Sequence, residues 1–173
     1  MTWLLTNSGK HFDLVDPQPD MINLLDIAHG LSNECRYAGQ CKYFYSVAQH
    51  SVLTSQIVPP EFALEGLLHD AAEAYLKDIP RPLKQLLPDY RAIEHRVESV
   101  IRDHFGLPGA QSYLINEADR VLLATERRDL MPEDAIEWPV LYGITALDRQ
   151  IRAVNNHRAK ALFLSRLVEI IQS

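Results

Sequence analysis

The chain has 173 residues and a formal charge of -6, from 17 Lys and Arg against 23 Asp and Glu. Its 47% apolar and 23% charged residues fit one folded domain over residues 1–173, not a disordered chain. No apolar run approaches the roughly 20 residues of a membrane span, and the acidic balance argues against a nucleic acid polymer as partner. The opening MTWLLTNSGKHF lacks the basic and long apolar regions of a secretory signal. Cys35 and Cys41 are too few for a disulfide scaffold, so a reducing, cytoplasmic setting is expected.

Ten prolines punctuate the chain, and between them apolar residues recur every three or four positions, the helical period. Asp20 is placed to cap a helix to about Asn33, with Ile22, Leu25, Ala28 and Leu31 as its apolar stripe. The aromatic stretch Cys41–Tyr45 suggests a small hairpin with Lys10–Leu14. Ser46 caps a second helix that ends at Pro59-Pro60. A third is predicted from Glu61 to Leu76, burying Leu64, Leu67, Leu68, Ala71, Ala72 and Tyr75. Further helices are predicted over Asp89–His104, Ser112–Leu130 and Asn156–Ile171, with a loop carrying Trp138 from Pro132 to Leu147. The reading is an all-α helical bundle with at most one small β-hairpin.

Most histidines carry no local partner pattern, but His50, His69 and Asp70 do. His69-Asp70 lies inside Leu67–Glu73, a segment that otherwise reads as core. Burying an imidazole beside a carboxylate costs several kcal/mol unless something compensates. A divalent ion compensates directly, since both groups are good ligands. His50 stands alone in the apolar segment Ser46–Val52, and Asp119 in Ala118–Leu123. Two imidazoles and two carboxylates, carried by three helices, can enclose one ion in a bundle core. The bland alternative is two satisfied core histidines and a locally paired Asp70. Glu73 follows His69 by four and Asp70 by three, on the same helical face. Asp78 lies just past the predicted helix end, beside Pro80.

These residues resemble the H…HD…D signature of HD-domain metal-dependent phosphohydrolases. Segments similar to Cys35-Arg36-Tyr37, Tyr45–Ser51, Leu68–Ala74 and Asp78–Lys84 recur in the branch of bacterial 5′-deoxynucleotidases and phage dATP triphosphohydrolases. The resemblance covers about residues 20 to 130. It implies an HD fold, hydrolysis of a free deoxynucleotide phosphate bond, and an enzyme of a bacterial cell or phage-infected host. It also implies metal ligands at His50, His69, Asp70 and Asp119. Glu73 and Asp78 would serve the catalytic water or further metals, and Arg36 and Lys84 the phosphate. Bacterial deoxynucleotidases carry Trp where this chain has Tyr37, near the nucleoside pocket, so base and sugar preference do not transfer.

The chemistry agrees. A bound divalent ion (Mn, Co, Zn or Mg all suit such a ligand set) lowers the pKa of its water to about 7. Glu73 can orient or deprotonate that water, and fixed cations offset the charge that develops on phosphate. Tyr37, Tyr43 and Phe44 can stack a base or simply fill core. A di-iron oxygenase is disfavoured, because its two extra histidines would be His95 and His104, nine apart and on opposite helix faces. A nucleotide-binding sensor without turnover is the alternative, although all the candidate ligands and acids are present. The charged Asp89–His104 helix and the aromatics also suggest a homo-oligomer.

Overall fold

The computed structural model describes residues 1–173. A two-stranded antiparallel hairpin opens the chain, with β1 (Trp3–Leu5) paired to β2 (His11–Asp13) and Leu4 opposite Phe12. The helices follow as α1 (Leu24–Asn33), α2 (Val47–Ile57), α3 (Ala63–Leu68), α4 (Glu73–Leu76), α5 (Arg81–Lys84), α6 (Pro88–His104), α7 (Tyr113–Leu130) and α8 (Asn156–Gln172). The fold is therefore mostly α, with a single small hairpin. No helix is long and apolar enough to cross a membrane.

Helix α2 is the centre of the bundle. It packs on α3, α8, α1 and α7, while α1 packs on α4 and α8. The main core gathers Ile27, Leu31, Val47, Leu67, Ile101 and Phe163, all almost fully buried. Close helix approach is needed here. A Cβ on Gly30 would lie 2.7 Å from the Ala74 carbonyl, so only glycine lets α1 meet the segment that carries Glu73. The hairpin docks through Phe12, whose ring stacks on Tyr75 at 3.9 Å.

The sequence expectations need three corrections. The hairpin partner of residues 11–13 is Trp3–Leu5, whereas Cys41–Tyr45 is irregular, because the short Thr6–Lys10 turn brings the nearer segment into register first. Helix α1 starts at the Asn23 cap, which accepts from the Leu25 amide. Asp20 lies in a preceding 3₁₀ turn, and Leu25 is exposed, its place in the core taken by Ile27. The predicted Glu61–Leu76 helix is split at His69–Ala72. There the amides of Ala71, Glu73 and Ala74 bond three residues back, to Leu68, Asp70 and Ala71. Such a 3₁₀ tightening in mid-helix often marks a functional segment.

Candidate metal centre

Four elements bring the site together. Helix α2 carries His50, one turn inside its Ser46 cap, whose hydroxyl accepts from the Gln49 amide at 3.2 Å. The tightened α3–α4 turn carries His69, Asp70 and Glu73. Helix α7 carries Asp119. The loop before α2 carries Arg36, and it is an unusual one. Tyr37, Ala38 and Gly39 are all left-handed, with φ of 57°, 51° and 76°. For the two non-glycines this conformation costs about 1–2 kcal/mol each. Strand-like bonds on both sides hold the turn, from the Arg36 amide to the Tyr45 carbonyl (2.9 Å) and from the Val47 amide to the Glu34 carbonyl (3.1 Å).

One donor atom from each of His50, His69 and Asp119 lies within 4.8 Å of the others, a group that can hold a metal ion. The two Nε2 atoms are 3.3 Å apart. His50 Nε2 is 3.2 Å from Asp119 Oδ1 and 3.6 Å from Asp70 Oδ2, and His69 Nε2 is 3.2 Å from the same Asp70 oxygen. The other ring nitrogens are committed as donors. His69 Nδ1 donates to the Gly66 carbonyl at 2.9 Å, and His50 Nδ1 to Glu126 Oε1 at 2.6 Å. A neutral imidazole has only one N–H. With each Nδ1 carrying a proton, each Nε2 is the nitrogen left to bind an ion, which would take the place of any proton His50 holds there. Two nitrogens bound to one ion at about 2.1 Å would stand roughly 3.0–3.4 Å apart, so the donor set fits.

The electrostatics point the same way. Burial and Arg36 oppose a charge on His50, yet Glu126 and Asp119 push its pKa up to about 9, so an extra positive charge is favoured at this spot. Burial also opposes the charge on Asp70, but His69, His50 and Arg36 hold it well below the usual carboxylate range. Glu73 goes the opposite way. Burial, reinforced by the charges of Asp70 and Asp78, pushes it well above that range, and its Oε2 is buried without a hydrogen-bond partner. Asp78 is partly buried and its pKa is raised, first by burial. The Asp119 side chain is 44% exposed, so the cluster opens to solvent on the α7 side.

The cations are placed unequally. Arg36, 11% exposed, sits inside the cluster with Nη1 3.4 Å from Asp70 and Nη2 4.0 Å from Asp119. Lys84 is held by Glu94 at 2.5 Å, and Arg81 is exposed. Tyr37 turns its hydroxyl inward to Glu126, leaving its ring against the Arg36 guanidinium at 5.5 Å. Tyr43 is exposed. Beside His69 lies a cavity of about 230 Å³, lined by Ala72, His95, Glu98 and Arg102 among others. His104 lies elsewhere, exposed against Phe105. The sequence reading missed Glu126, the carboxylate behind His50, and Glu94, the partner of Lys84. Glu126 follows Asp119 by seven, two helical turns on the same side of α7, which was the available signal.

This is a helical bundle built around a buried histidine–aspartate group able to ligate metal. No family model matches the chain. It is 54% identical over 148 residues to Uncharacterized protein YfdR of Escherichia coli K12, covering 86% of this chain and 83% of that one. It is 37% identical over 116 residues to Uncharacterized protein RCAP_rcc00048 of Rhodobacter capsulatus, covering 61% of this chain and 59% of that one. The chain belongs to the family of YfdR.

Proposed function

We propose that the protein is an HD-type, metal-dependent phosphohydrolase of free deoxynucleotides, acting on dATP and related triphosphates or on 5′-monophosphates. The observation that carries this reading is the pair of facing Nε2 atoms, 3.3 Å apart and flanked by Asp70, Asp119 and Arg36. His50, His69, Asp70 and Asp119 would hold the ion. When bound, a divalent ion polarises a phosphoryl oxygen and acidifies water.

The chain's own residues supply the rest. Water attacks phosphorus, a new P–O bond forms, and the bond to the leaving oxygen breaks. Glu73 takes the water proton. Burial and the charges of Asp70 and Asp78 favour the protonated carboxyl, and a bound cation beside them would offset those charges and free Glu73 to accept that proton. Arg36 faces the charge that develops on the phosphoryl oxygens. Lys84, pinned to Glu94, also feels the charges of Glu73 and Asp70. The net charge of -6 keeps nucleic acid polymers away while these local cations serve a short phosphate chain.

The test is a panel of deoxynucleoside and ribonucleoside mono-, di- and triphosphates with Mn²⁺, Co²⁺, Zn²⁺ and Mg²⁺, read by product chromatography. We expect metal-dependent release, faster on dATP than on ATP, and no cleavage of single-stranded DNA. Equal rates on dATP and ATP would remove the deoxynucleotide preference. Binding without any product would leave a sensor.

A further inference from the structure

We infer that Glu126 is a positioning residue that locks the metal-ligating tautomer of His50 and aligns Arg36 through the same carboxylate. The inference rests on the metal reading above. Glu126 is 0% exposed. An unpaired carboxylate at such depth would be prohibitively costly, and here every oxygen is engaged. Oε1 accepts from His50 Nδ1 at 2.6 Å and from the Tyr45 hydroxyl at 2.8 Å. Oε2 accepts from the Tyr37 hydroxyl at 2.5 Å and forms an ion pair with Arg36 Nε at 3.3 Å, without a hydrogen bond.

The two tyrosine hydroxyls hold the carboxylate, one on each oxygen. Tyr45 is fully buried, and Tyr37 is delivered by the left-handed turn. The remaining contacts reach the cluster. The bond to His50 Nδ1 keeps a proton on that nitrogen, so Nε2, which faces Asp70 and Asp119, is the atom left to bind an ion. A carboxylate behind a ligating imidazole also raises its basicity. The contact with Arg36 Nε leaves Nη1 and Nη2 directed at Asp70 and Asp119. Glu126 therefore sets a ligand and the cation of the site together. It touches neither substrate nor ion, and acts through His50 and Arg36.

The experiment uses the full chain, its Glu126→Gln and Tyr45→Phe variants, and Mn²⁺ titrated against a chelating dye. Melting curves report folded fraction separately. Glu126→Gln is expected to bind Mn²⁺ about 10–100-fold more weakly per folded molecule. Tyr45→Phe, which spares the His50 and Arg36 contacts, is expected to stay within about threefold of the parent. In the parent loaded with Zn²⁺, ¹⁵N NMR should show His50 protonated at Nδ1 and metal-bound at Nε2. Parent-like affinity in Glu126→Gln overturns the inference, even if its melting temperature falls. Should that variant not fold, the NMR decides alone, and a His50 bound through Nδ1 overturns it. A parent that binds none of these ions overturns the metal reading itself, an outcome distinct from a parent that binds while Glu126→Gln binds equally well.

Discussion

Two buried arginine–carboxylate centres lie in this molecule, and they are built on opposite plans. Around Arg102 everything is matched. Its guanidinium donates to Glu65 at 2.7 Å and to the carbonyls of Pro108 (2.5 Å) and Ala110 (3.1 Å), and Glu65 also accepts the Ser112 amide at 2.9 Å. One charge meets one charge, and the spare donors close the loop that leads into α7. Around Arg36 the charges do not balance locally. One guanidinium faces Asp70, Asp119 and Glu126 at 3.3–4.0 Å, two imidazoles bring their Nε2 atoms to 3.3 Å, and Glu73 keeps an orphaned oxygen. A buried pair like the first ties elements together. A surplus of acceptors around an open gap, like the second, is what a cation-binding site needs.

The sharpest way to break this contrast is Asp70→Ala. Its carboxylate is shared by His50, His69 and Arg36, so its loss should remove bound metal and lower turnover by about 10⁴-fold, the scale of a metal's several kcal/mol. The fold should survive, because Asp70 is not part of the apolar core. Metal content by atomic emission and phosphate release check both halves. An Asp70→Ala protein with full metal content would end the ligand assignment.

Much of the Arg36 centre was legible because its chemistry is written locally. His69-Asp70 interrupts an apolar run, and Ser46 announces the helix that carries His50. Glu126 was hidden for a physical reason. It sits in Thr125-Glu126-Arg127-Arg128, which reads as the charged end of a helix, and its partners Tyr37, Tyr45 and His50 lie 76–89 residues away. Only tertiary packing shows that this one carboxylate is fully buried while Arg127 and Arg128 reach out to the carbonyls of Ile136 and Leu147. The helix boundaries were legible where a cap and a proline agreed, as at Ser46 and Pro59. They failed at Asp20, where Pro19 starts a separate 3₁₀ turn, and at His69–Ala72, where helical dihedrals persist but the hydrogen bonds tighten. The hairpin was misassigned because strand propensity in Cys41–Tyr45 says nothing about the strained left-handed turn just before it.

The Arg102 centre should respond in the opposite sense. Glu65→Ala strands a buried guanidinium and frees the Ser112 amide at the start of α7. Breaking such a pair costs about 3–5 kcal/mol, which for a chain of this size lowers the melting temperature by roughly 10 °C. Metal affinity per folded molecule should stay near that of the parent, because α7 is still seated through Ile115, Ala118 and Leu122. A calorimetric scan and the dye titration separate the two readouts. A Glu65→Ala protein of parent stability and lost metal would erase the distinction between the centres.

Glu73→Gln is the finest test, because it alters charge while keeping shape. The ion ligands stay in place, so the variant should bind metal like the parent while turnover falls by about 10²-fold, as expected for loss of a proton acceptor. Loss of the metal instead would put Glu73 among the ligands. Stability supplies an independent check, measured with a chelator present. The folded pKa of Glu73 lies above its unfolded value, raised by burial and by the charges of Asp70 and Asp78. Folding then takes up a proton, so this group's contribution is fully present below the unfolded pKa of about 4.3 and is lost as pH rises toward the folded value. Glutamine carries no such dependence. The variant should therefore melt higher than the parent at pH 8, with the gap closing as the pH falls toward 4. A parent that melts higher than Glu73→Gln at pH 8 would mean that the buried carboxylate is stabilised as an anion, and that Glu73 belongs with the balanced pairs rather than with the open site.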